Sequence, residues 1–85
     1  MKNTTYNGYK NYNTWNIALW ICNDYNLYNI AVDFMKSFKC QAPYKKFIEF
    51  LGFDNSKTPD NVKYIDNKLS YRELNQVMRD LIHGL

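Results

Sequence analysis

The sequence predicts an all-α fold: a compact four-helix domain with an irregular Tyr/Asn-rich N-terminal arm and one long loop before the last helix. Apolar residues recur at spacings of three and four in separate segments, which is the pattern of amphipathic helices. Most of these segments are bounded by residues that typically begin or end a helix. With 85 residues and no internal repeat, the chain is predicted to form a single domain over 1–85, with an arm over 1–12 and a helical body over 13–85.

The first predicted helix begins at Trp15, where Asn13 or Thr14 can serve as the N-cap. From Trp15 to Cys22 nearly every residue is apolar, so this helix is expected to be buried around most of its circumference. In the arm before it, Asn7-Gly8 is a strong turn signal. The tyrosines of the arm are expected on the surface, and its first residues are expected to be loose.

Asp24 is well placed to cap a second helix, because apolar residues follow it at helical spacing. These residues are Leu27, Ile30, Ala31, Phe34, Met35 and Phe38. Pro43 suits the first turn of a third helix. Tyr44, Phe47, Ile48 and Leu51 form the apolar stripe of that helix. Gly52 is a natural residue to end it.

The segment 53–69 is polar and rich in turn residues, which predicts the long loop. Three apolar residues are expected to anchor it, in part as a short extended piece: Val62, Tyr64 and Ile65. Ser70 and Glu73 have the spacing of a capping box at the start of the last helix, and Gly84 is expected to end that helix. The predicted core consists of Trp15, Leu19, Leu27, Phe34, Phe47, Ile48, Leu74, Met78 and Leu81.

The composition predicts a soluble cytoplasmic protein. The longest apolar run, Ile17 to Cys22, is far too short to span a membrane, and the N-terminus lacks the apolar segment of a signal peptide. Cys22 and Cys40 have no metal-ligand spacing, so free thiols are favoured over a disulfide. The net charge of +3 is well below that of a dedicated nucleic-acid binder.

No residues suggest catalysis, a cofactor site or a metal site. His83 is the only histidine, and it is expected to interact with the carbonyl end of the last helix. The acidic residues are scattered singly, and the three glycines form no phosphate-binding loop. We therefore expect that the protein is not an enzyme.

Asn16, Trp20 and Asn23 share one face of the first helix, and two interpretations of this face are open. In the favoured structural interpretation, the asparagines hydrogen-bond the backbone of the arm and hold residues 6–13 against the bundle. In the functional interpretation, Trp20 is exposed together with arm tyrosines as a binding surface, because tryptophan and tyrosine are typical anchors of protein interfaces. Of these aromatic residues, Tyr9 and Tyr12 are the better candidates for contact residues.

Four lysines are close together in the sequence: Lys36, Lys39, Lys45 and Lys46. Phe47 is assigned to the core, so the cluster lacks the interleaved aromatic rings of a nucleic-acid surface. A solvated face is therefore favoured over a phosphate-binding one, although the lysines stay candidates for contacting a partner.

The segment GYKNYNTWNIALWICNDYNLYNIA, residues 8–31, closely resembles a family of small proteins of unknown function found in phages, plasmids and their hosts. The shared pattern is N-Y-x-T-W-N-x-A-L-W-I-x-N-D-x-x-L-Y-x-x-A. The resemblance implies an origin in a mobile element. It brings no known activity, so no functional residue can be transferred from it.

Together these observations favour a phage protein that acts by stoichiometric binding, with inhibition of a host defence nuclease such as a CRISPR or restriction effector as the first hypothesis. The candidate partner-binding residues are Tyr9, Tyr12, Trp20, Lys36, Lys39, Lys45 and Lys46. The alternatives are a small nucleic-acid-binding accessory protein, whose affinity would fall steeply with salt, and a nucleotide-binding sponge. No membrane partner is expected, and the oligomeric state is left open.

Overall fold

The computed structural model describes residues 5–83, in which four α-helices follow one another along the chain. They are α1 (Tyr12–Asn23), α2 (Tyr25–Ser37), α3 (Pro43–Leu51) and α4 (Tyr71–Asp80). Across residues 5–83 extended pairing is limited to isolated bridges, Tyr6 with Tyr9 and Lys57 with Lys63. The predicted all-α, four-helix class is therefore confirmed. α4 packs against each of the other three helices. No helix within the described residues is long and apolar enough to cross a membrane.

α1 begins earlier than predicted, at Tyr12 instead of Trp15, and its N-cap is Asn11 instead of Asn13 or Thr14. Asn11 has the extended backbone that an N-cap requires, and its Oδ1 accepts hydrogen bonds from the backbone N–H of Thr14 at 2.9 Å and from the Thr14 hydroxyl at 2.7 Å. Thr14 thus donates to the cap. The helical body consequently starts one residue before the predicted boundary.

The turn at Asn7-Gly8 is present as predicted. Tyr6 and Tyr9 exchange two backbone hydrogen bonds of 2.7 and 2.9 Å, and φ is 48° at Asn7 and 89° at Gly8. Two positive φ values are typical of a type I′ turn, for which Asn-Gly is a preferred sequence. The turn brings Tyr9 back onto the domain, where it is half-buried against the core, so the expectation that all arm tyrosines lie on the surface was wrong for Tyr9. The expected looseness before Thr5 falls outside the described residues.

α2 is capped by Asp24 as predicted: its Oδ1 accepts a hydrogen bond from the Leu27 N–H at 2.9 Å. α3 begins at Pro43, and Gly52 follows its last residue with a φ of 74°, the left-handed conformation that favours glycine at this position. At the start of α3, the Tyr44 N–H donates to Asn75 Oδ1 of α4 at 2.9 Å, which ties the two helices together.

We predict that Asp24→Ala lowers the free energy of unfolding by about 1 kcal/mol, because the N-cap hydrogen bond is lost. In a domain of this size the melting temperature should fall by about 4–8 °C, which a circular dichroism melt will measure. Asp33→Ala is the matched control, because Asp33 is exposed within the same helix and has no capping role. Equal shifts in the two variants would contradict the role assigned to Asp24.

Only half of the predicted capping box forms at the start of α4. Ser70 caps the helix by accepting from the Glu73 N–H at 3.3 Å. The Glu73 carboxylate, however, accepts from the Lys10 N–H at 2.7 Å, and the Ser70 N–H donates to the Thr14 hydroxyl at 3.0 Å. The first turn of α4 is thereby attached to both the arm and α1. α4 ends at Asp80, and the expected stop at Gly84 lies outside the described residues.

Most of the predicted core is confirmed. The buried apolar residues are Ile17, Ala18, Ile21, Ala31, Phe34, Met35, Tyr44, Phe47, Ile48, Val62, Tyr64, Leu69, Leu74, Val77, Met78 and Leu81. Leu27 is half-buried and packs against this core. The predictions for Trp15 and Leu19 were wrong: both are only half-buried and neither belongs to the core, and Cys22 is exposed. α1 is apolar on two sides, but the other helices cover only one of them.

Buried apolar side chains anchor the long loop between α3 and α4 to the helices. Val62, Tyr64 and Leu69 are buried, and the Tyr44 hydroxyl donates to the Tyr64 carbonyl at 2.6 Å. Ile65 is half-buried against the core. The anchoring role of the predicted residues is confirmed, while the expected extended piece amounts to a single bridge.

Candidate functional site

The polar residues of the Asn/Trp-rich segment attach the long loop to α1. Asn16 is fully buried, and its Nδ2 donates to Asp60 Oδ2 at 2.7 Å while its Oδ1 accepts from the Thr58 hydroxyl at 2.8 Å. Trp20 Nε1 donates to the same Asp60 oxygen at 3.0 Å. The hydrogen bond from Asn16, followed by that from Trp20, lowers the pKa of the Asp60 carboxyl. The amide of Asn16 is thus satisfied, as a buried amide must be.

The structural interpretation of Asn16 was therefore right in kind but wrong in partner. Its hydrogen bonds reach loop residues 58–60, whereas the prediction placed the arm backbone there. The arm leads into the start of α1, where Asn11 is the N-cap. Asn16 lies further along the helix, at a position that faces the loop. Asn23, which was predicted to share this face, is exposed. The Trp20 indole is fixed by Asp60 and is half-buried beside an apolar groove of about 240 Å³.

The remaining candidate tyrosines lie on other surfaces. Tyr9 lines a shallow groove between the arm and α4, together with Glu73. Tyr12 is 42% exposed and packs against the rings of Tyr6 and Trp15 with centroid distances of 5.4 and 5.5 Å. Tyr9 and Trp20 line two different grooves, and the assignment of Tyr9, Tyr12 and Trp20 as contact residues stays a prediction.

The structure also separates the four lysines. Lys39 and Lys46 line one groove between the end of α2 and α3. Lys45 Nζ lies 4.8 Å from the centroid of the Tyr71 ring, which is cation–π geometry. Lys36 is exposed in the last turn of α2 and is not among the residues lining that groove.

The groove between Lys39 and Lys46 contains aromatic rings that the sequence analysis did not place there. We call it the phenylalanine groove; it has a volume of about 430 Å³ and is lined by Phe34, Phe38, Lys39, Cys40, Lys46, Glu49 and Phe50. Phe34 is buried at its base, whereas Phe38 is 48% exposed and Phe50 is 58% exposed. Centroid distances of 4.9 Å from Phe34 to Phe38 and 5.4 Å from Phe34 to Phe50 hold the rings as one cluster.

Sequence reasoning missed this groove for identifiable reasons. Phe38 continues the apolar spacing of α2, but it lies at the C-cap, after the last residue of the helix, where it is exposed. Phe50 lies beside the apolar stripe of α3, next to Leu51. An aromatic residue off the stripe of an amphipathic helix is the available signal for an exposed ring.

Other candidates for chemistry lie on the surface of the described part of the chain. His83 is exposed, and both cysteines are exposed free thiols. Among residues 5–83 no group of three or more histidine, cysteine or acidic residues could hold a metal ion. Every buried side-chain nitrogen or oxygen in that range has a hydrogen-bond partner.

These features define a small all-α domain with an aromatic groove that has two lysines on its rim. The chain belongs to DUF7249, a family of unknown function, whose model matches residues 2–83. This membership agrees with the resemblance of residues 8–31 to small proteins of unknown function. No curated protein and no solved structure matches the chain.

Proposed function

We propose that this protein acts without catalysis, by stoichiometric binding of a partner protein in the phenylalanine groove. The observation that carries this proposal is the exposure of Phe38 and Phe50 at 48% and 58% around the buried ring of Phe34. Exposed aromatic clusters of this kind are typical of interaction sites, and buried aromatic anchors contribute most of the binding energy at protein interfaces.

The charges of the groove favour an acidic segment with one apolar or aromatic anchor residue. Lys39 and Lys46 lie on the rim, against the single acidic residue Glu49. An apolar side chain would occupy the space between Phe38 and Phe50, while flanking carboxylates would meet the two lysines. Complementary rim charges add specificity and speed the encounter.

A host defence nuclease, such as a CRISPR or restriction effector, is the partner class that we place first. This part of the proposal rests on the resemblance of residues 8–31 to phage and plasmid proteins. The groove supports the more general part of the proposal, the binding of a protein segment.

Single-stranded nucleic acid is the second candidate, because lysines beside exposed rings are also the pattern of a base-stacking surface. The arrangement of the rings favours protein over nucleic acid. Phe38 and Phe50 are inclined by 56° to each other, so they do not form a flat stacking platform.

The experiment is NMR titration of the labelled protein with a synthetic acidic peptide that carries one central tryptophan. Shifts should concentrate at Phe38, Phe50 and the two rim lysines. A peptide with alanine for tryptophan and one with lysine for each acidic residue should both bind more weakly. Phe50→Ala should weaken binding by about 30-fold, the loss of an interface hot spot.

Tyr25→Ala is the matched control, because Tyr25 is a 79% exposed aromatic residue outside the groove. Equal binding by wild type, Phe50→Ala and Tyr25→Ala would overturn the proposal. Binding of a single-stranded oligonucleotide at the same residues, with an affinity that falls steeply as salt is added, would favour the nucleic-acid candidate instead.

A further inference from the structure

A second apolar surface lies on α1, on the side opposite its core face. Tyr12, Trp15, Leu19 and Cys22 follow one another at i, i+3, i+7 and i+10, so they form one line along the helix, which we call the outer stripe. Tyr12 and Cys22 are exposed. Trp15 and Leu19 are half-buried and are not among the residues that pack against the core.

The arm extends this stripe with a further ring. Tyr6 is 41% exposed, and its ring centroid lies 4.9 Å from that of Trp15 and 5.4 Å from that of Tyr12. The three rings form an aromatic cluster at one end of the outer stripe, while Leu19 and Cys22 continue it toward the other end. Apolar surface in this arrangement is more typical of an interface than of a solvated face.

The side chains of the outer stripe carry no charge at neutral pH, and Asp80 of α4 interacts electrostatically with Cys22 at one end of the stripe. Between Asn11 and Asn23 the sequence contains no acidic residue, lysine, arginine or histidine, although the chain as a whole carries a net charge of +3. In a twofold dimer the same surface meets itself, so any charge near the axis faces its own copy and is repelled. An uncharged apolar stripe is therefore suited to a second copy of the chain. The phenylalanine groove is not, because Lys39 and Lys46 would face lysines of the other copy.

The spacing of the stripe fits helix pairing as well. Alternating steps of three and four are those of the a and d positions at which paired helices interdigitate. With 12 residues, α1 is about 18 Å long. An antiparallel arrangement places Trp15 near Leu19 of the second copy and aligns the helix dipoles favourably.

We propose that the protein forms a twofold homodimer through the outer stripe, with α1 packed antiparallel against α1 of a second copy. This interface is independent of the proposed partner binding and leaves the phenylalanine groove open. The dimer would present two grooves, so a partner with two binding segments would be held with increased avidity.

Sedimentation equilibrium of the full chain tests the proposal. Wild type should dimerise with a Kd in the micromolar range. Leu19→Lys and Leu19→Glu should each raise that Kd at least tenfold, because like charges then lie close to the axis. An equimolar mixture of the two variants should recover dimers, since opposite charges meet. Tyr25→Lys is the control, because it adds the same charge at a 79% exposed site on α2 and should leave the dimer unchanged.

A wild-type protein that stays monomeric up to about 1 mM, where even an interaction of about −4 kcal/mol is half-saturated, would overturn the proposal. A dimer that persists in both folded Leu19 variants would overturn it as well. Isotope-filtered NMR on a mixed labelled and unlabelled wild-type sample gives an answer that does not depend on the variants. Intermolecular contacts at Trp15 and Leu19 are expected, and contacts confined to other surfaces would contradict the assignment.

Discussion

Asn16→Asp should destabilise the fold by at least about 3 kcal/mol at neutral pH, because it buries a carboxylate without a cationic partner beside the carboxylate of Asp60. The substitution preserves the shape of the side chain, so no cavity forms. It replaces the amide donor that lies 2.7 Å from Asp60 Oδ2 with an acceptor, and two carboxylates would then share that contact. The melting temperature should fall by more than about 12 °C in a domain of this size.

The loss should depend on pH in a defined direction. Burial and the neighbouring Asp60 both raise the pKa of the introduced carboxyl in the folded state above its unfolded value of about 4. A raised pKa means that the stability is retained below the unfolded pKa and lost as pH rises through the folded one. The difference from wild type should therefore be smaller at about pH 4 than at pH 7.

Thermal melts of wild type and Asn16→Asp at the two pH values measure this difference. Asn29→Asp is the matched control, because Asn29 is exposed in the middle of α2 and makes the same change of charge. Its effect should stay within about 0.5 kcal/mol, as is usual at exposed surface positions. If Asn16→Asp were as mild as this control, the attachment of the loop to α1 through Asn16 would be of little energetic consequence.

The hydrogen bonds of Asn16 also show which features the sequence alone can predict and which it cannot. The start of α2 and both ends of α3 were predictable because Asp24, Pro43 and Gly52 act on their own or the adjacent turn, whereas α2 ends at Ser37, before the predicted end at residues 41–43. The contact of Asn16 with Asp60 joins residues separated by 44 positions, and no local pattern indicates which distant segment a buried amide will meet.

The orientation of α1 illustrates a different limit. A helix that is apolar on two sides has little periodicity, so the sequence cannot indicate which side faces the core. In the structure the side of α1 with Ile17 and Ile21 faces the core, and Trp15 and Leu19 are half-buried. Trp15, which the sequence analysis placed in the core, therefore belongs to the candidate dimer surface instead.

The phenylalanine groove could not be predicted from the sequence for a third reason. The lysines were predicted to lack interleaved aromatic rings because Phe47, one position from Lys46, was assigned to the core. In the structure the relevant rings come from Phe38 and Phe50, which the turn between α2 and α3 brings together at 6.0 Å. The composition of this surface depends on how two helices pack, and neither helix alone shows it.

Tyr44→Phe should reverse its effect on stability between neutral and alkaline pH. Tyr44 is fully buried, and its hydroxyl donates to the Tyr64 carbonyl at 2.6 Å. Near neutrality the variant loses this hydrogen bond, so its free energy of unfolding should be lower by about 1 kcal/mol.

At high pH the same hydroxyl lowers the stability of the wild type. Burial, and to a lesser extent the nearby Tyr71 and Tyr64 hydroxyls, raises the pKa of Tyr44 above its ordinary value of 10.0. The unfolded tyrosine therefore ionises while the folded one stays neutral. Its contribution to stability is complete below about pH 10 and falls by about 1.4 kcal/mol for each pH unit above it.

Phenylalanine has no proton to lose, so the two stability curves should converge above pH 10 and cross near about pH 11. Urea unfolding of both proteins between about pH 8 and pH 11.5 measures the difference, and the titration of Tyr9 and Tyr64, common to both, largely cancels. Tyr25→Phe, at a 79% exposed position, should run parallel to wild type throughout. A constant gap between wild type and Tyr44→Phe would mean that the Tyr44 hydroxyl ionises as readily in the folded chain as in the unfolded one.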